Sequence, residues 1–308
     1  MNHKLFCFGY GYTCDYLGHE LSMRAPGEWS LFGTTRDPDK RNALRARGVQ
    51  VFNFDHENPL PDPLYLLQDT THLLISTPPD DEGDPAFLVH GDDILQMPNL
   101  QWVGYFSTTG VYGDRDGGWV DESSELRPSS RRGTRRVLAE DQWLSLYRSR
   151  GVPVHIFRLA GIYGPGRSAL DSVRAGVARR INKPGHAFAR IHVEDIVQVV
   201  LASMARPQPG AIYNVCDDLP APSHEVIAYA CELLGRAVPP LVDFDEANLA
   251  PITRSFYMDN RKVRNDKIKT ELSVNLKYPD FKAGLRGCLE AEQYALTALQ
   301  KFAGSSGE

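Results

Sequence analysis

The chain has 308 residues, of which 42% are hydrophobic and 24% are charged, as in a globular protein with one large domain or two unequal ones. A net charge of −5 excludes a general attraction to nucleic acid or to an anionic membrane surface. No apolar run is long enough to span a bilayer, and we expect the first residues to open into a strand rather than a signal peptide. Five scattered cysteines lack the paired spacing of a zinc site, so we expect reduced thiols in a cytoplasmic protein.

The first predicted element is a short strand at residues 4–8 that runs directly into a glycine turn and a helix at 12–24. This order of elements brings backbone N–H groups to a helix N-terminus, where a pyrophosphate can bind. Gly9 permits the tight turn, and Gly11 lets phosphates approach the backbone. Cys14 replaces the usual third glycine with another small residue. The segment therefore predicts a dinucleotide site.

The second predicted strand, at residues 30–35, indicates which dinucleotide to expect. An NAD-binding chain usually places an acidic residue at the end of this strand, where it bonds the ribose 2′-hydroxyl. This chain has Thr34, Thr35 and Arg36 there, and a guanidinium suits the 2′-phosphate of NADP(H). NADP(H) is the preferred cofactor, and NAD(H) stays open because the neighbouring Asp37 is an alternative acid.

Strand-like and helical segments alternate along the following part of the chain. Further strands are predicted at residues 49–54, 71–76, 101–107, 152–158 and 211–215, and further helices at 38–47, 86–96, 134–150 and 168–181. The alternation predicts an α/β fold with a doubly wound parallel sheet, Rossmann-like, followed by a smaller, mainly helical C-terminal substrate domain. We assign residues 1–160 and about 188–216 to the dinucleotide-binding domain, and about 161–187 and 217–308 to the substrate domain.

The loops that follow the predicted strands are the expected ligand sites, because ligands of an open parallel sheet bind beyond the carboxyl ends of its strands. The loops after the fourth, fifth and sixth strands begin near Ser76, Ser107 and Arg158. The predicted cofactor-binding residues are Gly9, Gly11, Tyr12, Thr13, Thr35, Arg36, Ser76, Thr77 and Pro78.

Five segments of the chain resemble motifs of a known family. They lie, in order, at residues 107–113, 158–166, 191–195, 213–215 and 277–285. Together they are similar to the motifs of the extended short-chain dehydrogenase/reductases, also called the NAD-dependent epimerase/dehydratase family. The resemblance implies a nucleotide-binding domain with a small substrate domain, and a substrate that is a nucleotide sugar or another small carbonyl or hydroxyl compound.

The family's catalytic Tyr-x-x-x-Lys pair is missing from this chain. Pro128 and Glu140 are spaced as in the family's Pro-x-x-x-Tyr-Gly-x-x-Lys-x-x-x-Glu segment. In that register Arg132 stands at the tyrosine position and Arg136 at the lysine position. An arginine stays protonated at physiological pH, so it cannot exchange the proton that the tyrosine supplies. The family's threonine is matched by Thr108.

The predicted catalytic residues are therefore Thr108, Arg132 and Arg136, with Arg132 polarising a carbonyl or gripping an anion and Arg136 bonding the nicotinamide ribose. Tyr112 and Tyr163 are alternative proton donors, but tyrosines in Tyr-Gly turns usually pack their rings and bond the backbone. None of these alternatives replaces the missing tyrosine convincingly.

Four arginines form a cluster on one predicted helix: Arg131, Arg132, Arg135 and Arg136. Like charges at i, i+4 repel, so this arginine cluster is costly unless an anion lies nearby. Either acidic residues close in sequence neutralise it, or it binds a phosphorylated or carboxylated ligand. The acidic candidates are Glu122, Glu125, Glu140 and Asp141. Both alternatives stay open.

The sequence favours an oxidoreductase or epimerase-like enzyme that uses NADP(H) on a small substrate, either an anion or a nucleotide sugar. The alternative is a nucleotide-binding sensor or regulator that lost catalysis with the Tyr/Lys pair. Nucleic-acid and membrane partners are not expected. The resemblance also implies a homodimer that pairs through the helices at 86–96 and 134–150.

Overall fold

The computed structural model describes residues 3–305 of the chain, with side chains described up to residue 295. The strands are, in chain order, β1 (His3–Phe8), β2 (Trp29–Thr34), β3 (Gln50–Phe52), β4 (His72–Ile75), β5 (Trp102–Thr108), β6 (Trp119–Val120), β7 (Val154–Leu159), β8 (Gly161–Tyr163), β9 (Arg180–Asn182), β10 (Arg190–His192), β11 (Ile212–Val215), β12 (Leu241–Asp243) and β13 (Lys262–Val263). The helices are α1 (Tyr12–Arg24), α2 (Pro38–Ala46), α3 (Pro63–Leu67), α4 (Pro85–Ile94), α5 (Arg131–Arg150), α6 (Ala169–Arg174), α7 (Val193–Ala205), α8 (Ser223–Leu233), α9 (Pro251–Phe256), α10 (Asp266–Thr270) and α11 (Phe281–Ser305), with a 3-10 turn at Thr109–Tyr112.

Seven strands form one parallel sheet in the order β11-β7-β5-β4-β1-β2-β3. Strand β1 is buried on both faces, since Leu5 and Cys7 pack into one hydrophobic cluster and Phe6 and Phe8 into another. Helices must therefore cover both faces of the sheet, as in other parallel sheets. The predicted doubly wound, Rossmann-like sheet is confirmed.

Most predicted elements lie within three residues of the observed ones, and α1 has the predicted bounds. The helix predicted at 168–181 is wrong beyond Arg174: the chain turns at Gly176, which has a positive φ of 69°, and residues 180–182 form β9. Strand β9 pairs with β12, about sixty residues further along the chain, so its strand conformation depends on a distant partner.

The C-terminal region is mainly helical, as predicted. Helices α6, α8 and α11 share a separate hydrophobic cluster that includes Leu170, Ala230 and Leu285. Short parallel strand pairs, β8 with β10 and β6 with β13, join this region to loops of the main sheet. Within residues 3–305 no helix is both long enough and apolar enough to cross a membrane.

Candidate active site

The glycine turn between β1 and α1 is held in a conformation that favours glycine. Gly9 has a φ of +82°, and a Cβ atom there would lie 3.0 Å from the backbone nitrogen of Thr77. The Gly9 N–H donates to Thr34 Oγ1 at 2.8 Å, which ties the turn to the end of β2. Gly11 precedes α1, and no side chain caps this helix N-terminus. The first N–H groups of α1 are therefore available to a ligand.

After the end of β2, the Arg36 side chain is exposed, whereas the carboxylate of Asp37, the alternative acid, already accepts hydrogen bonds from the protein. Thr35 donates its backbone N–H to Phe52 O at 3.0 Å. The Arg36 side chain is exposed beside it. The Asp37 carboxylate caps α2 by accepting backbone N–H groups from Asp39 at 2.9 Å and Lys40 at 3.1 Å. Asp37 therefore already has a structural role at the start of α2.

The loop after β4 contributes only in part to the cleft. Ser76 lines the cleft. The Thr77 hydroxyl instead donates to Asp84 Oδ2 at 3.4 Å, and Pro78 is exposed. Four of the predicted cofactor-binding residues line the cavity described below: Gly11, Tyr12, Thr13 and Ser76. The other five lie outside its lining: Gly9, Thr35, Arg36, Thr77 and Pro78.

A cavity of about 1030 Å³ starts at the N-terminus of α1 and continues past the end of β5. Its opposite side, which we call the substrate wall, is formed by lining residues from the ranges 187–190 and 252–261. Sequence reasoning missed this wall. Arg190 directly adjoins the recognised segment 191–195, which was the available signal. The range 252–261 contains no motif that could have indicated its role.

Tyr12 connects the glycine turn to a loop on the other side of the cavity. Its hydroxyl donates to Pro165 O at 2.9 Å. The Arg167 guanidinium lies 5.7 Å from the centre of the Tyr12 ring, within range of a cation–π interaction. A Cβ atom at Gly164 would approach the Tyr12 hydroxyl to 2.5 Å, so this contact requires glycine at 164.

The three predicted catalytic residues all line the cavity. Thr108 caps the 3-10 turn by accepting the Gly110 N–H at 3.1 Å. The Arg132 side chain is exposed, with its guanidinium 5.9 Å from the ring of Phe256 on the substrate wall. Arg136 is half-buried and donates to Phe106 O at 2.5 Å and to Tyr105 Oη at 3.0 Å.

The other two members of the arginine cluster bind one carboxylate. Arg131 donates to Asp81, and Arg135 Nε donates to Asp81 Oδ1 at 2.7 Å. Hydrogen bonds from Arg135 and Arg131 hold the pKa of the Asp81 carboxyl well below its usual range. A protein carboxylate thus neutralises two of the four arginines. The predicted partners were wrong, because none of the four acidic residues close in sequence pairs with the cluster.

Glu140, one of those expected partners, instead belongs to a buried network beneath the cleft. Arg158 Nη2 donates to Glu140 Oε2 at 2.7 Å, and both side chains are 3% exposed. Ser107, which lines the cavity, donates its hydroxyl to Glu140 Oε1 at 2.5 Å. The network therefore fixes α5 against the ends of β5 and β7.

The alternative proton donors have structural roles. The Tyr112 hydroxyl donates to Asn214 Oδ1 at 2.7 Å, and burial raises its pKa to about 12. Tyr163 donates to Asp280 O at 3.4 Å, and burial raises its pKa as well. His192, whose ring lies 5.3 Å from that of Tyr163, is a third titratable side chain here; it caps α7, and burial lowers its pKa to about 3. None of the three is poised to exchange a proton near neutral pH.

Residues 95–216 match the model of the NAD dependent epimerase/dehydratase family. This match covers about two fifths of the chain and lies in the part that forms β5 to β11. The match begins before β5 and ends after β11, so it contains four of the five segments that carried the resemblance, and it leaves out the glycine turn.

Similar proteins cover nearly the whole chain. A functionally unknown conserved protein from Silicibacter pomeroyi DSS is 50% identical, with a TM-score of 0.86 over 94% of this chain and 99% of its own. Protein YeeZ of Escherichia coli (strain K12) is 27% identical over 90% of this chain and 97% of its own length. A UDP-glucuronic acid 4-epimerase from Bacillus cereus, solved with NAD, is 16% identical, with a TM-score of 0.71 over 92% of this chain and 96% of its own, and shares the fold.

Proposed function

We propose that the chain is an oxidoreductase or epimerase-like enzyme that binds NADP(H) and acts on a small substrate, either an anion or a nucleotide sugar. The observation that carries the proposal is the continuous cavity, which begins at the uncapped N-terminus of α1 and reaches Thr108, Arg132 and the substrate wall. The match to the epimerase/dehydratase family model supports a nucleotide-dependent reaction, and structural neighbours such as the Bacillus cereus epimerase are described with NAD.

The glycine turn fits a dinucleotide. A side chain at Gly9 would collide with the loop after β4, and the free N–H groups of α1 suit a pyrophosphate. In this proposal Gly11, Tyr12 and Thr13 hold the pyrophosphate, and Arg36 holds the 2′-phosphate. The remaining contacts to the nucleotide come from Gly9, Thr35, Ser76, Thr77 and Pro78. A bound nicotinamide supplies or accepts a hydride.

The catalytic residues would act through position and charge. Thr108 orients the reacting oxygen, and Arg132 offers a permanent positive charge to an oxyanion that develops there. Arg136 lies next to them, with its guanidinium anchored to the backbone of β5, and would contact the nicotinamide ribose. Since arginine keeps its proton, the proton that neutralises the oxygen has to come from another group.

The proposed division into two domains follows the sequence, with residues 1–160 and about 188–216 holding the nucleotide and about 161–187 and 217–308 holding the substrate. A homodimer that pairs through α4 and α5 is supported by exposed apolar side chains on both helices, Leu88 at 41% and Leu138 at 39% exposure.

The first test is a fluorescence titration of the purified protein with NADPH and NADH. We expect NADPH to bind about tenfold more tightly, because a charge-assisted bond from Arg36 to the 2′-phosphate contributes about 1.4 kcal/mol. Arg36→Ala should remove most of this preference, whereas Arg150→Ala, an exposed arginine at the far end of α5, should keep it.

Equal affinities for the two nucleotides would contradict the NADP(H) preference, and binding of neither would overturn the proposed function. The alternative, a nucleotide sensor without catalysis, is favoured by the lack of a proton donor among the cavity residues described above. Restoring the family's pair with Arg132→Tyr and Arg136→Lys separates the two. A gain of turnover would indicate a lapsed enzyme, and a loss of turnover would indicate that the arginines have their own catalytic role.

A further inference from the structure

The cavity lining is unusually rich in hydrogen-bond donors. Its charged side chains are six arginines and a single carboxylate, Asp259. The lining arginines are Arg131, Arg132, Arg136, Arg167, Arg190 and Arg261. Among the described lining residues there is no glutamate, asparagine, glutamine or histidine. A ligand that matches this cavity must therefore supply acceptors.

Two of the six arginines already have carboxylate partners. Arg131 pairs with Asp81, as described above. Arg261 Nη1 lies 2.9 Å from Asp259 Oδ2, and Asp259 also accepts a hydrogen bond from the Ser129 hydroxyl. Asp259, the one carboxylate among the lining residues that the structure describes, is therefore already engaged by protein groups.

The other four arginines form no ion pair with any described carboxylate. Arg136 bonds a carbonyl and a tyrosine hydroxyl, and Arg132 and Arg167 lie over aromatic rings. Arg190 Nη1 donates to Phe188 O at 2.9 Å and to Ala221 O at 2.7 Å. The buried Asp217 carboxylate interacts with the Arg190 charge, but it lies beyond ion-pair distance of the guanidinium.

Arg132 and Arg190 are separated by aromatic residues of the substrate wall. Arg132 lies over Phe256, and Arg190 lies 5.6 Å from the ring centre of Phe188. The Tyr257 ring, which follows Phe256 in the chain, lies 5.1 Å from the Phe188 ring. The Arg132 guanidinium from α5 and the Arg190 guanidinium from the wall thus lie against different aromatic rings and would contact different groups of one ligand.

Sugar hydroxyls need acceptors as well as donors, and proteins usually supply them through carboxylate and amide oxygens. Among the described lining residues there is no side-chain amide, and the one carboxylate is engaged, so the side-chain acceptors that remain are hydroxyl oxygens such as those of Ser130 and Ser255. Phosphate and carboxylate groups only accept hydrogen bonds when ionised, and arginine binds both through its planar fork of N–H groups.

We infer that the substrate is a small acid with at least two phosphate or carboxylate groups, one bound by Arg132 and the other by Arg190, and without the many sugar hydroxyls of a nucleotide sugar. This inference rests on the proposed function, because it assigns the substrate of the same cavity.

The experiment measures the thermal midpoint of the NADPH-loaded protein with four probes at equal millimolar concentration and matched ionic strength. Citrate represents a polycarboxylate, inorganic pyrophosphate a phosphate compound, sorbitol a neutral polyol and UDP-glucose a nucleotide sugar. We expect citrate or pyrophosphate to raise the midpoint by about 2–4 °C, and the one that acts identifies the acid group. Sorbitol and UDP-glucose should have smaller effects.

Variants determine whether the shift belongs to this cavity. Arg132→Gln changes an exposed side chain, and Arg190→Lys keeps the charge at a site where two carbonyls are bonded. Each should at least halve the shift, whereas the matched control Arg150→Gln should retain it. The inference is overturned if the shift is equal in Arg132→Gln and Arg150→Gln, if neither acid gives one, or if sorbitol or UDP-glucose acts more strongly.

NADPH loading is followed separately by nucleotide fluorescence, which distinguishes the two proposals. Loading without an acid-dependent shift overturns the substrate class alone. If NADPH does not bind, the proposed function fails, and the same variants decide the inference in the nucleotide-free protein.

Discussion

The two ends of the cavity are built from different parts of the polypeptide. At the end where we propose that the nucleotide binds, which we call the nucleotide end, the features that matter are backbone features: the positive φ of Gly9 and the uncapped N–H groups of α1. At the substrate end, they are long cationic side chains such as Arg132 and Arg190. A backbone turn is encoded by neighbouring residues, whereas the state of an arginine depends on partners that are distant in sequence.

The largest expected effect comes from breaking the buried ion pair between Glu140 and Arg158, which lies beneath the substrate end of the cavity. Glu140→Ala should lower the free energy of unfolding by about 3–5 kcal/mol, because it leaves the Arg158 charge buried and without its partner. Denaturant unfolding measures the change. The neighbouring Asp141→Ala removes a carboxylate that pairs with Arg148 at 2.6 Å in an exposed position, so it should cost less than about 1 kcal/mol. Similar losses in both variants would show that burial of the pair contributes little.

A second prediction concerns the pH dependence of stability, which should come from a buried histidine of the sheet and not from the arginines of the cavity. Burial lowers the pKa of His155 from 6.5 to about 4, so the unfolded chain binds a proton on this residue at a pH where the folded chain does not. The stability that His155 contributes is complete above pH 6.5 and is lost as the pH falls towards 4. The cavity arginines keep their charge over this range.

The measurement is the free energy of unfolding at several pH values. His155→Gln should reduce the acid-induced loss between about pH 6.5 and 4.5 by about 2 kcal/mol. His19→Gln, at an exposed position, should leave the pH profile unchanged. Burial raises the pKa of Asp84 to about 6, so the folded chain binds a proton on this residue more readily than the unfolded chain. Acidification therefore stabilises the fold through Asp84, and the free energy of unfolding falls less steeply with pH than the histidines alone would cause. Parallel profiles for the two variants would contradict the prediction.

The smallest expected change in stability concerns the nucleotide end. Gly9→Ala should cost about 1–2 kcal/mol for placing a side chain at a positive φ, and should weaken NADPH binding tenfold or more because the turn shifts. Gly27 has a similar φ of +79°, and a Cβ atom there would meet nothing within 4 Å, so Gly27→Ala is a matched control. It should lose less stability than Gly9→Ala, because only the positive φ opposes its side chain, and it should keep its affinity. Equal affinity for NADPH in both variants would show that the glycine turn does not contribute to nucleotide binding.

The sheet and the glycine turn could be predicted because their signals are local. Apolar runs such as residues 4–8 mark buried strands, and the spacing of Gly9 and Gly11 marks a turn into a helix. Helix α5 begins three residues before its predicted start, because the Ser130 side chain caps it by accepting the Gly133 N–H.

The substrate end could be predicted only in part, for a physical reason. Arg131 and Arg135 are neutralised by Asp81, which is fifty residues or more away in sequence, while acidic residues nearer in sequence pair elsewhere. The range 252–261 reaches the cavity through tertiary packing around Tyr257, without any periodic pattern of its own. Segments of this kind acquire their role only once the chain has folded.

The bond from Tyr12 to Pro165 links the glycine turn to the opposite side of the cavity. A ligand that immobilises either side also restricts the other, so the entropy lost on binding a second ligand is smaller. Nucleotide and substrate would then bind with positive cooperativity. Thermodynamic reciprocity requires each to raise the affinity of the other by the same factor, whichever arrives first.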